Sequence, residues 1–352
     1  MSAHTGCVPE GIQGRPPDSP PGPAMKHPAV FLLLALILLA SMALALLTGG
    51  TSLTSAHIFE ALIRPEPGDL TATLVWELRL PRIATACIVG AALAQCGVVF
   101  QAILRNPLAE PYTLGVSAGG ALGATLAIIL GLAGLPMVVM CFAGSMISVS
   151  VVLGIASLRQ FSSTTLILSG VILSFLLSSL VMFIFSVASS RDVHSSIMWI
   201  MGDLSSPGPG AMRIMIFTVF PLMAVTLCAG RDLNMLSLGD EKTYHLGGNA
   251  RVMKGILLVA TSLITGGCVA ISGIIGFVGL LVPHLMRKIT GADHRLLIPS
   301  SMLAGSSFLL LCDTFSQLVL RPIELPVGVI TGMLGGLFFL VYIALVNPSE
   351  VI

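Results

Sequence analysis

Ionisable residues are scarce in this 352-residue chain, so each can be weighed for chemistry in turn. His284, within VPHLMR, could relay a proton or hydrogen-bond at a helix end beside Arg287 and Lys288; ionisable groups in apolar segments are functional suspects by default. Asp313 is the one acid well inside an apolar run, and an isolated carboxylate is a poor basis for a proton-coupled carrier. Gln95 and Gln101 could face a pathway or bond across helices. Arg79 and Arg82 flank Pro81; if that turn is helical, they share one face. Asp240 and Glu241 lie in the longest polar stretch, 231–253. Nowhere do these residues offer nucleophile, base and orienter together, so no catalytic residue is expected. Of seven cysteines, Cys87, Cys96, Cys141, Cys228, Cys268 and Cys312 lie in apolar runs and Cys7 does not. Without CxxC or Cys/His ligand spacing, they read as packing residues, and neither metal nor cofactor is expected.

The elements that must carry these residues are apolar. Hydrophobic residues make up 55% of the chain and charged residues 9%, where a soluble domain has about 25% charged; mean hydropathy is +0.99. That balance excludes a soluble enzyme. A net charge of +1 gives no basic field for a nucleic acid. Spans long enough to cross a bilayer run roughly over 28–48, 82–104, 111–132, 136–157, 164–187, 214–230, 254–273, 275–287, 299–319 and 327–346. Their length and lack of alternation predict an all-α integral membrane protein of about ten transmembrane helices, not a barrel.

Residues 1–24, with GRPPDSPPGP, read as a disordered cytoplasmic tail, and Met25-Lys26 as an alternative start. A cleaved signal peptide competes for 25–48, but the run is long and lacks a good small-residue cleavage site. With the N-terminus inside, Lys and Arg number eleven on the cytoplasmic side and six outside, which puts both termini in the cytoplasm. Arg79 and Arg82, clustered outside, break the rule. Glycine spacing at Gly115/Gly119/Gly123 and Gly328/Gly332/Gly336 predicts close helix packing in lipid.

Three stretches are more specific: LRLPRIATACIVGAALAQCGVVFQAILRNPLAEPYTLGVSAGGALGA at 78–124, NMLSLGDEKTYHLGG at 234–248, and GIIGFVGLLVPHLMRKITGADHRLLIPSSMLAG at 273–305, followed by Asp313 and ELPVGVITGMLGGLFF. From about residue 30 to the C-terminus, in the same order, they resemble the FecCD family, the permeases of ABC importers for iron–siderophore complexes, haem and cobalamin. The resemblance implies a bundle like that of the cobalamin-importer permease over 25–352, in a bacterial or archaeal inner membrane. It implies a homodimer joined to two copies of a cytoplasmic ABC ATPase and fed by an extracytoplasmic substrate-binding protein. No GxxxxGK[ST] surrounds Lys26, Lys242, Lys254 or Lys288, so ATP must be hydrolysed by the separate subunit. Iron chelates are the first expectation for the substrate, with cobalamin second. An ion-coupled secondary transporter and a membrane-embedded enzyme are the competing classes.

Residue by residue, Asn106 and Leu108 of RNPLAEP match one cytoplasmic gate layer of the family, and Ser163 and Thr164 match the other. RNPLAEP is itself a proline-broken turn between spans. The 231–253 stretch reads as a short amphipathic helix pair; in the family this loop docks on the ATPase, here through Leu238, Gly239, Asp240, Glu241, Leu246 and Gly247. Arg79 and Arg82 match arginines that meet glutamates of the binding protein. The third such position is Gln317 here, with Arg321 one turn further out. Gln95, Gln101, Gly115, Gly119, His284 and Asp313 are expected in the pathway or in helix packing; Gln101 is the family's usual residue, whereas Gln95 is usually small there.

Overall fold

The computed structural model describes residues 27–345 apart from 50–53, 65–68, 206–207, 209–211, 214 and 322. The expected 1–24 tail and the alternative start at Met25 lie outside the described residues. Among the described residues no strand occurs, one short 3-10 turn lies at Pro111–Leu114, and fourteen longer helices run along the chain. They are α1 His27–Thr48, α2 Ser55–Ile63, α3 Leu70–Leu104, α4 Val116–Ile129, α5 Leu135–Ser157, α6 Ser163–Val187 and α7 Ser190–Ile200. The rest are α8 Met215–Cys228, α9 Gly230–Ser237, α10 Asp240–His245, α11 Ala250–Ser272, α12 Val278–Thr290, α13 His294–Leu318 and α14 Val327–Leu345. Seven are long and apolar enough to span a bilayer, and α8 with α9, bent by 58°, makes an eighth. Of the ten segments that hydropathy marks out, the third and eighth contain only shorter helices, the apolar α4 of 14 residues and α12 of 13, so the helices long enough to span number seven or eight among the described residues.

Helix α3 begins twelve residues before the expected span. Asp69 caps it, accepting from the Thr71 and Ala72 amides at 3.0 and 3.2 Å. Pro81 does not stop it. A proline lacks an N–H and crowds the carbonyl four residues back; here the chain widens to a π-helix over Leu74–Arg79, and the Leu80 amide bonds to the Val75 carbonyl. The same device precedes Pro221, where Met215–Val219 is also π-helical. Helix α3 ends at Arg105, which turns left-handed at φ 49°.

The bundle is organised round α3, whose most apolar stretch is 83% buried, against 11% for α6. Its neighbours touch it backbone to backbone. A β-carbon at Gly90 would lie 2.3 Å from the Gly305 carbonyl oxygen of α13, and one at Gly97 would lie 1.8 Å from that of Gly279 on α12. Helices α4 and α5 meet the same way at Gly119 and Gly144, and Gly123 sits 2.3 Å, by the same measure, from the Met140 carbonyl. The second glycine triplet behaves differently. Gly328 packs on the Met201 and Ile274 carbonyls, but Gly332 faces open space and Gly336 barely reaches the Phe277 ring. Gly335, one residue off the expected row, takes the close contact with Phe277.

Helix α12 has thirteen residues, about 20 Å of helix, too short to cross the hydrocarbon alone. The break before it, 273–277, is irregular backbone between α11 and α12. Such irregular backbone must find protein partners, and it does. Glu110 Oε1 accepts from the Phe277 amide at 2.7 Å, and the Tyr112 hydroxyl lies 3.0 Å from the Ile275 carbonyl it donates to.

Gly97→Val should be destabilised by about 3 kcal/mol, the upper end of ordinary overpacking, whereas Gly332→Ala should be nearly neutral. Unfolding in mixed micelles checks the pair; equal effects would mean that backbone contact at α3 does not hold the bundle.

Candidate functional site

At one end of the bundle the arginines gather. Arg82 gives Nε and Nη2 to the two oxygens of Asp313, each at 2.9 Å, and Nη1 to Glu324 at 2.8 Å. Gln317 adds Nε2 to Asp313 at 2.8 Å. Asp313 is thus no isolated carboxylate: it is 2% exposed and forms a bidentate pair with Arg82 across 231 residues of sequence. That correction has a physical cause, since a charge buried among helices needs a partner. Arg79 lies beneath the surface at 8% exposure and donates to the Leu46 carbonyl at the end of α1. Arg321 is exposed and donates to the Thr48 and Gly49 carbonyls. The turn around Pro81 is helical, and Arg79 and Arg82 line one cleft of about 230 Å³ with Gln317 and Glu324.

Within the bundle, Gln95 is fully buried and bonds across helices, its Nε2 reaching the Met223 carbonyl at 2.8 Å and Thr226 Oγ1 at 2.7 Å. Gln101 makes one long bond, 3.4 Å, to the Leu280 carbonyl. Gly115 turns left-handed at φ 77°, and its carbonyl takes the Ser148 hydroxyl at 2.8 Å. His284 is held by rings: its centroid is 4.8 Å from that of Tyr342, edge-on, and 5.9 Å from that of Phe339. Its Nε2 finds no hydrogen-bond partner among the described residues. Lys288 Nζ sits 4.1 Å over the Tyr342 ring.

At the opposite end, α9 and α10 form the expected pair of short helices. Gly239 joins them at φ 114°, and Gly247 closes α10 at φ 82°. Leu238, Tyr244 and Leu246 are exposed on this element, beside an open concavity of about 770 Å³ lined by Asp240, Tyr244, His245 and 247–250. The element is tied down at several points. Asp240 pairs with Arg105 and, at 2.7 Å, with Lys254. Asn234 donates to Asp293 at 2.8 Å and accepts from the His294 amide at 2.9 Å. The Asn234 amide and the Arg295 N–H hold the Asp293 carboxyl below its usual range. Asn106 caps its own turn, accepting from the Leu108 amide at 2.9 Å. Leu108 is exposed, and Ser163 and Thr164 open α6. Sequence reasoning passed over Arg105, Glu110, Tyr112, Lys254 and Asn234. Arg105 and Glu110 lie inside the RNPLAEP stretch with Tyr112 beside it, and Asn234 opens the 234–248 stretch, whereas Lys254 lies in none of the three specific stretches.

The model of the FecCD transport family matches residues 36–345. The hemin transport system permease protein HmuU of Yersinia pestis is 34% identical over 320 residues, 89% of this chain and 95% of its own. The vitamin B12 import system permease protein BtuC of Salmonella typhi is 37% identical over 281 residues, 78% of this chain and 86% of its own. A solved structure described as an inward-facing conformation of a metal-chelate type ABC transporter superposes with TM-score 0.80 at 30% identity, covering 91% of this chain and all of the other.

Removing one partner of a buried ion pair costs about 3–5 kcal/mol. Asp313→Ala should fall near the lower figure, since Arg82 keeps Glu324. The Arg82→Ala/Asp313→Ala double variant should lose less than the sum of the singles. A double-mutant cycle of micellar unfolding checks this; strict additivity would deny the pair any coupling.

Proposed function

The chain belongs to the FecCD transport family as a multi-pass ABC-importer permease, and on that premise we propose that two copies form the passage of a chelate importer. A separate ATPase pair drives it from the cytoplasmic side, where both termini, α9 and α10 lie. A binding protein delivers iron chelates, siderophore or haem, at the Arg82 end. The observation that carries this reading is the α9–α10 element. Two short helices present Leu238, Tyr244 and Leu246 to solvent from a bundle that is otherwise apolar, and an exposed apolar cluster on a polar element suits protein docking. Glu241 and Gly247 belong to the same surface.

An ion-coupled carrier is disfavoured because Asp313, the expected acid within an apolar span, is committed to Arg82. Cobalamin is the second substrate reading, favoured by the similarity to the vitamin B12 permease. Iron chelates stand first because the alignment with the hemin permease covers 89% of this chain and because of the metal-chelate type neighbour. Asn106 with Leu108, and Ser163 with Thr164, serve as the two gate layers.

Of the three arginines proposed for docking the binding protein, Arg321 is the most exposed, while Arg79 and Arg82 hold the mouth in shape from beneath. Desolvated interfacial pairs couple by roughly 1.5–7 kcal/mol, so Arg321→Glu should weaken binding-protein stimulation of ATP hydrolysis at least about tenfold and leave basal hydrolysis intact. Leu246→Asp should instead abolish co-purification with the ATPase. Native mass spectrometry should find two copies of this chain with two ATPase subunits. A transport-competent assembly with one copy, or an ATPase retained by Leu246→Asp, would reject the proposal.

A further inference from the structure

Helix α10 carries one carboxylate with two cationic partners on different elements. Asp240 Oδ1 accepts from Arg105 Nη2, and Oδ2 accepts from Lys254 Nζ at 2.7 Å. Arg105 ends α3 and directly precedes Asn106, whose side chain closes a turn onto the Leu108 amide. Residues 106–108 therefore form a compact unit hung from the arginine. Lys254 is 3% exposed, in the first turns of α11. Around it, the same helix braces the 157–161 turn. Arg251 Nη2 donates to the Ser157 carbonyl at 3.3 Å, and the Phe161 ring packs against Gly255, 3.7 Å from where a β-carbon would sit. Gln160 and Phe161 both hold left-handed backbones, at φ 54° and 53°, immediately before Ser163 and Thr164. Left-handed non-glycine residues persist only where their surroundings fix them, and α11 supplies those surroundings.

The segments before α4 and before α6 thus connect to opposite oxygens of one carboxylate. A buried lysine cannot be left without its partner, so Oδ2 stays with Lys254 and α10 is bound to α11. Oδ1 remains for Arg105. We infer that Asp240 makes the two gate layers a single moving unit. Displacement of α10 acts on Asn106 and Leu108 through Arg105, and on Ser163 and Thr164 through Lys254 and α11. The inference rests on the gate and ATPase-docking assignments above. Arg105 and Lys254 are positioning residues: both act through Asp240.

The test uses single reporter cysteines, Leu108→Cys or Thr164→Cys, in the full assembly with Cys7→Ser and Cys228→Ser to remove the terminal thiol and the exposed Cys228. Thiol-labelling rates are compared between ATP-trapped and nucleotide-free states. In the parent, both reporters should respond to nucleotide by about fivefold or more, the lower range of allosteric coupling factors. Arg105→Gln should erase the response at Leu108→Cys and spare that at Thr164→Cys. Lys254→Met should do the reverse, and Arg105→Lys should restore the first response. All variants should retain the ATPase. If both reporters respond as in the parent in Arg105→Gln and in Lys254→Met, the linkage is wrong. If either variant sheds the ATPase, that residue serves docking and the inference is equally overturned. Silence of both reporters in the parent, with the ATPase bound, would instead reject the gate assignment itself.

Discussion

Lipid supplies no hydrophobic force to draw one helix against another, so this bundle depends on backbone meeting backbone. The contacts of Gly90 with Gly305 and of Gly97 with Gly279 place α13 and α12 directly on α3, closer than any side chain allows. The polar pairing between α3 and α13 follows from that closeness. Arg82 on α3 and Asp313 on α13 meet only because Gly90 and Gly305 have brought those two helices together. Gln95 reaches α8, and Gln101 reaches the Leu280 carbonyl, from the same central helix.

A tightly packed centre also explains where movement is permitted. The outer helices α1, α5, α6 and α14 are mostly exposed to the surroundings of the bundle, and the backbone is irregular at only a few places. Those places are stitched together. The segment following α3 runs from Arg105, paired with α10, to Glu110 and Tyr112, bonded to the 275–277 break. One short stretch thereby connects an exposed polar element to the irregular backbone before α12.

Much of this was legible in the sequence, for definable reasons. The all-helical membrane class could be read because a bilayer fixes the length an apolar helix needs, whereas seven or eight helices, not ten, meet that length among the described residues. The α9–α10 pair was legible because polarity is rare in this chain, so a polar stretch marks a surface. The start of α3 was not, because Pro81 reads as a boundary, while a π-helical widening absorbs it. Gly335 was passed over for Gly332 and Gly336 because spacing alone leaves the row facing Phe277 undetermined. Long-range pairs were out of reach: Arg82 with Asp313, and Arg105 with Asp240, are each separated by more than a hundred residues. Asp313 therefore read as solitary when it is among the best-partnered side chains of the bundle.

The source of energy separates an ATP-driven permease from an ion-coupled carrier. The decisive measurement is uptake of radiolabelled haem, ferric siderophore and cobalamin into proteoliposomes. These hold this chain with its ATPase and have binding protein on one face. ATP on the ATPase side should drive accumulation of one chelate class, collapse of proton and sodium gradients should leave the rate unchanged, and omission of the ATPase should abolish it. Accumulation driven by an ion gradient in the absence of ATP would contradict the account.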